Sequence, residues 1–212
     1  MHTVPIQRSL LKTLAGWASL ATVLLCCVTA TAQQETTKAG QLDVAVLYDA
    51  DRVNRFPGTE FWLQGGSLEL VGHAPYGFAV VANVTGLHAG PGSTGVPLSL
   101  VTDTFGPRYT WYVPSGSKGS LRKLSHVSLF GQALIGEAHG LGSTFPGAGG
   151  VSSSALSFAL RVGGGIEAGL SRHISVRALQ VDWLRTQLPN ATDNVQNNLQ
   201  IAAGIVFHTS SK

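Results

Sequence analysis

The sequence predicts an all-β fold: an eight-stranded antiparallel up-and-down transmembrane β-barrel, preceded by a helical signal peptide. Three observations carry this reading. Asn197 to Phe207 alternates strictly, with Leu199, Ile201, Ala203, Ile205 and Phe207 on one face and Asn198, Gln200, Ala202, Gly204 and Val206 on the other. A period of two is the period of a strand, and a large apolar face against a small, polar one suits lipid outside and a lumen inside. Only 12% of the chain is charged, with 26 glycines, whereas about a quarter of a typical soluble domain is charged. Beyond the N-terminal region no long apolar helix accounts for that low charge, and barrels hide their hydrophobicity in alternation. Finally, the connections between candidate strands tend to alternate between tight and loose.

Residues 1–32 read as a secretory signal. Arg8 and Lys12 give the positive start, Leu14 to Val28 is an apolar run, and Ala30-Thr31-Ala32 supplies an A-x-A cleavage site at Ala30 and Ala32. The run is short for a membrane-spanning helix. A retained anchor or a lipoprotein using Cys26 or Cys27 is the competing reading. Both cysteines lie in this segment, so the mature chain has none and is no disulfide scaffold. Removing Arg8 and Lys12 from the 14 basic residues leaves 12 against 11 acidic ones, a net charge of +1, which gives no support for nucleic-acid binding. Residues 33–40 form a polar leader, 41–208 the barrel and 209–212 a C-terminal tail.

The first strand is expected over Leu42–Tyr48, with Leu42, Val44, Val46 and Tyr48 on one face. The second, Glu60–Val71, places Leu68 and Leu70 opposite Ser67 and Glu69; a bulge at Gly65-Gly66 would keep Gln64 from facing lipid. The third, Gly77–Leu87, alternates from Phe78 to Thr85. The fourth, Leu98–Tyr112, carries Val101, Phe105, Tyr109 and Trp111 on the apolar face. There Asp103 is expected near the rim, and Pro107, which removes a ladder donor, marks an irregularity. The fifth, Val127–His139, has two competing phases: Leu129, Ala133 and Ile135 against Phe130 and Leu134. The sixth, Ala155–Leu170, opposes Leu156, Phe158, Leu160, Val162 and Ile166 to Ser157, Arg161, Gly163, Gly165 and Glu167. In the seventh, Ile174–Arg185, parity switches between Arg177 and Gln180, so an extra residue near Ala178-Leu179 predicts a bulge. The eighth is Asn197–Phe207, which closes the barrel on Leu42–Tyr48.

Asp49–Thr59, His88–Pro97, Gly140–Ser152 and Thr186–Asn194 are the longer or looser connections. Gly72–Tyr76 and Ser171–His173 are tight, and Val113–Ser125 breaks the alternation. An even strand number places both termini at one end. The aromatics then form two girdles, as membrane interfaces favour: Phe78, Tyr109, Trp111 and Phe207, with Tyr76 and Tyr112, at the terminal end; Tyr48, Trp62 and Trp183, with Phe61, at the other.

The chain resembles the small outer-membrane β-barrels of the outer-membrane-protein-A/X type in Gram-negative bacteria. The resemblance covers most of Leu42 to Phe207. It is carried by Phe105-Gly106-Pro107-Arg108-Tyr109, by Gly163-Gly164-Gly165-Ile166 with Arg172-His173-Ile174, by Arg177 to Arg185, and by Asn197-Asn198-Leu199 to Phe207. It implies a barrel domain alone, in the outer membrane, with lipid and lipopolysaccharide as surroundings and the barrel-assembly machinery as a partner reading the last strand. None of these motifs specifies an activity, and the expected role is structural, in envelope integrity.

The inward faces supply a lumen polar network of Glu69, Arg108, Arg161, Glu167, Arg177, Gln180 and Asp182, with Gln132 and Glu137 as further candidates. Charges in a narrow barrel must pair, which points to a side-chain plug; a small-solute pore is the sharper reading of the same residues. A surface-binding barrel and a soluble periplasmic lipocalin-like barrel, whose apolar face would point inward, are the other binding readings. An enzyme resembling barrels that deacylate lipid A would need His126, Ser128 and Glu137 together, but the strand layout sets Glu137 at the far end. No catalytic residue is therefore assigned. His73, His88, His139, His173 and His208 lack ligand spacing along the chain, so neither metal nor cofactor is expected.

Overall fold

The computed structural model describes residues 41–56, 59–90, 97–113, 126–147, 150–190 and 193–209. The signal segment with Ala30 and Ala32, the leader 33–40 and residues 210–212 lie outside the described residues. Eight strands form one closed antiparallel barrel in chain order: β1 Leu42–Phe56, β2 Thr59–His73, β3 Phe78–Ala89, β4 Leu98–Val113, β5 Val127–Gly147, β6 Gly150–Gly169, β7 Ile174–Thr186 and β8 Gln196–His208. The seam is the β1–β8 ladder, running from Asp43↔His208 to Arg52↔Leu199.

Alternation dictates the two faces. On β8, Asn198, Gln200, Ala202 and Val206 are buried inside while Leu199, Ala203, Ile205 and Phe207 face outward. The same division holds on β3, whose burial alternates strictly. Many large apolar side chains are thus displayed on the outside: Val46, Leu68, Val80, Phe105, Leu156 and Phe158 are among those exposed. A soluble lipocalin-type barrel has the opposite polarity.

Where strands end is the main correction to the sequence reading. Asp49–Thr59 is not a loose loop: β1 continues to Phe56 and pairs with β2 from Thr59. Asp49 and Asp51 are buried inside. Gly140–Ser152 is likewise mostly strand, since β5 and β6 extend as a hairpin to Gly147 and Gly150. Polar residues and glycines resemble loop composition, yet backbone pairing tolerates both wherever the inward side is hydrogen-bonded. There is no bulge at Gly65-Gly66, where the register against β1 runs unbroken. Gln64 faces outward and accepts a hydrogen bond from the Tyr48 hydroxyl at 3.0 Å.

At Ala178, β7 does carry an extra residue. Arg177 faces Gly204 and Gln180 faces Ala202, so three β7 steps match two on β8. The shift returns Gln180 and Asp182 to the inner face. The β5 phase is settled with Phe130, Gln132, Leu134 and Ala138 inside, and Leu129, Ala133, Ile135 and Glu137 outside. Pro107 interrupts the β4–β5 ladder between Phe105↔Ile135 and Arg108↔Gln132 without changing register. The β2–β3 turn is a 3₁₀ turn over Pro75–Gly77, with Tyr76 at φ 63° and Gly77 at φ 80°.

Candidate functional site

The barrel interior gathers the polar residues into layers. Deep inside, Glu69 Oε1 accepts from Arg108 Nη2 at 2.7 Å and pairs with Arg177 Nη1 at 2.8 Å. Arg177 also donates from Nη2 and Nε to Glu167 Oε1, at 2.6 and 2.9 Å, and from Nη1 to Gln180 Oε1 at 2.7 Å. Arg108 donates from Nε to Gln132 Oε1 at 3.1 Å. The chain of bonds continues from Gln180 Nε2 to Asp182 Oδ2 at 2.5 Å and from Gln132 Nε2 to Asp182 Oδ1 at 3.3 Å. Glu69, Arg177, Gln180 and Asp182 are no more than 1% exposed. Two ion-paired carboxylates (Glu69, Glu167) thus match two guanidiniums (Arg108, Arg177) where an unpaired charge would be costly, while the third carboxylate, Asp182, is held by the Gln132 and Gln180 amides.

Both guanidiniums lie over the Phe130 ring, Arg108 at 4.1 Å and Arg177 at 4.7 Å from its centroid. The ring's negative face offsets the repulsion between them. Gly165 makes room for that ring: a side chain there would come within 2.8 Å of Phe130 and 2.5 Å of the Leu179 carbonyl oxygen. The sequence reading left Phe130 without a role because the phase of β5 was open.

Arg161 belongs to a separate layer. Its Nη1 donates to Asn83 Oδ1 at 2.8 Å, and its Nη2 to Thr85 Oγ1 and Thr102 Oγ1 at 3.0 and 3.1 Å. Asp49 accepts from Ser67 Oγ at 2.7 Å and Gln200 Nε2 at 2.8 Å. Asn83, Thr85 and Asp49 share the inward parity of their strands, a signal present in the sequence once the strand ends are known.

Beyond this layer, away from the termini, the interior turns apolar. Val53, Leu63, Leu87, Leu98, Leu100, Ala138, Phe145, Ala159, Leu184 and Leu188 form one buried cluster, with Phe61 packed against it. Phe61 therefore points inward rather than into a girdle. The β7–β8 connection is not loose: Gln196 Oε1 accepts from Leu188 N at 2.9 Å while Gln196 Nε2 donates to Leu188 O at 2.8 Å. That clasp directs Leu188 into the cluster. In the same connection Val195 N–H and Asn190 Nδ2 donate to Asp193 Oδ1, at 3.1 and 3.2 Å. These bonds, the backbone one first, hold the Asp193 carboxyl below the usual carboxylate range.

At the other end a cavity of about 340 Å³ is lined by Asp43, His73, Arg108, His126, Glu167 and His208, among others. Asp43 Oδ2 lies 2.6 Å from His73 Nε2 and 2.9 Å from His208 Nδ1, and His208 Nε2 lies 2.6 Å from Ser175 Oγ. These side chains tie β1, β2, β7 and β8 together across the seam.

His126, Ser128 and Glu137 do not form a catalytic group. Ser128 is buried on the inner face, whereas Glu137 is exposed on the outer one. Of the girdle residues, Phe78, Tyr109 and Trp111 stack edge-to-face near one end, with centroids 4.9 and 4.6 Å apart. Phe207, Trp62 and Trp183 are exposed outward. Tyr48 is also outward, but the longer β1 places it near mid-strand rather than in the far girdle. Tyr112 has the inward parity and lines the cavity.

This closed barrel of eight strands, with an apolar exterior and a packed polar interior, has the fold of the small eight-stranded outer-membrane β-barrels. The attachment invasion locus protein Ail of Yersinia pestis is similar over 81% of this chain and 100% of that one, with 15% identity and a TM-score of 0.53. Neisserial surface protein A is similar over 79% of this chain and 98% of that one, with 13% identity and a TM-score of 0.57. No protein-family model and no curated protein sequence matches the chain.

Proposed function

We propose that the protein is a non-enzymatic barrel of the Gram-negative outer membrane that serves envelope integrity and does not conduct solutes. The observation that carries this is an interior stopped twice, by the Glu69–Arg108–Arg177–Glu167 network and then by the apolar cluster around Phe145. A void against that cluster, lined by Val53, Leu98, Leu100 and Phe145, has a volume of only about 10 Å³, room for one water at most. Eight strands enclose a space that side chains can fill, and here they do so with paired charges and packed apolar groups.

In this reading the outward apolar face contacts lipid and lipopolysaccharide, and β8, with its outward stripe ending at Phe207, is the strand the barrel-assembly machinery engages. The signal segment ending at Ala32 directs the chain across the inner membrane. Two measurements test the proposal. Cell fractionation with a heat-modifiability gel should place a folded barrel in the outer membrane; recovery in the soluble periplasm would overturn the location. The purified barrel in a planar bilayer should pass no current above background, while steady single-channel steps would establish the small-solute pore instead.

A further inference from the structure

Three side chains that are far from remarkable along the sequence meet on the outer wall of the barrel. Asp103 on β4 stands directly opposite Glu137 on β5, and His139 follows two residues on, opposite Val101. All three are on the outward face, Asp103 and Glu137 exposed and His139 half-buried. His139 Nε2 lies 3.5 Å from Asp103 Oδ1 and 3.7 Å from Glu137 Oε2, and one ligand atom from each residue falls within 4.8 Å of the others.

Those distances discriminate between two explanations. A charge-assisted hydrogen bond from imidazolium to carboxylate closes to about 2.7–2.9 Å, and contacts near 3.6 Å are not hydrogen bonds. Two ligand atoms each about 2.0–2.1 Å from a tetrahedral zinc ion stand about 3.4 Å apart. The imidazole stands close to the second spacing from Asp103 and somewhat wider from Glu137.

The setting points independently to a cation. Like charges directly opposite across an antiparallel pair destabilise it. Among the described residues, the ion pairs of Asp103 and Glu137 are with His139 alone. Their surroundings are apolar: Val84 and Phe158 flank the pair across the ladders, and Phe105 and Ile135 follow on the same face. Gly136 lets the two strands close up here, because a side chain there would come within 1.9 Å of the Asp103 carbonyl oxygen.

We propose that Asp103, Glu137 and His139 form a binding site for a divalent first-row metal ion of the zinc class, with a fourth position facing outward from the barrel wall. Imidazole with carboxylates suits Zn²⁺ and its neighbours, whereas Ca²⁺ and Mg²⁺ want more oxygens than this site offers. The ion neutralises the facing carboxylates.

The test is metal alone on the untagged barrel refolded in detergent. Calorimetric titration with ZnCl₂ should show one ion per chain, and CoCl₂ should give the visible absorption of tetrahedral Co²⁺. D103N and H139Q should each weaken binding at least tenfold, with folding verified by heat-shifted gel mobility. D193N, whose carboxylate lies elsewhere, should leave binding unchanged. Absence of stoichiometric binding to the unsubstituted barrel would overturn the proposal without recourse to any variant. So would Zn²⁺ affinity that H139Q leaves intact, or Ca²⁺ affinity matching that for Zn²⁺.

Discussion

Arg177→Met is the most telling perturbation of the interior. The guanidinium is fully buried and contacts Glu69, Glu167, Gln180 and the Phe130 ring. Methionine fills much of the same volume but removes every one of those polar interactions. Glu69 is then held by Arg108 alone, and Glu167 loses the Nη2 and Nε donors. Removing one partner of a buried, hydrogen-bonded ion pair costs about 3–5 kcal/mol, chiefly because the remaining charge stays buried. Glu69→Gln should cost a similar amount for the opposite reason, since it leaves Arg108 and Arg177 together at the Phe130 ring with no shared anion. The double variant restores the balance, leaving Arg108 against Glu167. Its loss should therefore fall short of the sum of the single losses by about 0.5–3 kcal/mol, the coupling expected for residues in one network. The assay is urea unfolding of the detergent-refolded barrel, followed by tryptophan fluorescence and by the mobility of unheated samples. Single losses below about 0.5 kcal/mol, the range of ordinary surface substitutions, or strict additivity in the double variant, would refute the assignment of a coupled charge network.

Three further predictions address other layers. Phe145→Ala should cost about 3–5 kcal/mol, as large-to-small core substitutions do, because Phe145 is 2% exposed within the apolar cluster; unfolding midpoints give the loss. Deleting Ala178 leaves two β7 steps against two on β8 and keeps Gln180 and Asp182 on the inner face, so a heat-modifiable barrel should still form in lipid vesicles, and failure to refold would contradict the register. The order around Asp193 should depend on pH: its folded carboxyl titrates below its unfolded value, so its bonds from Val195 N–H and Asn190 Nδ2 are complete above the ordinary carboxylate range and lost as pH falls through the lowered value. Hydrogen exchange of the Val195 amide should report that loss, and Asp193→Asn should abolish the dependence.

The sequence alone determined the faces of the strands. Alternation is a local property, since successive side chains must point to opposite sides of a sheet. Leu199, Ile201, Ala203, Ile205 and Phe207 could therefore be assigned outward, and Glu69, Arg108, Arg161 and Arg177 inward, before any partner was known. The parity break between Arg177 and Gln180 was legible for the same reason. Tertiary structure alone decided what each inward residue meets. Glu69 and Arg108 are 39 residues apart in the chain, and Arg161 and Asn83 are 78 apart; closing the sheet with a fixed stagger brings such pairs to one height. β5 is apolar on both faces near Leu129 and Phe130, so only its neighbours could choose its phase and place Phe130 beneath two arginines. Strand ends were decided the same way. Asp49, Asp51 and the glycines beyond Gly140 look like loop residues until the facing strand pairs their backbone groups, and those pairings set both the height of the barrel wall and the position of Tyr48 on it.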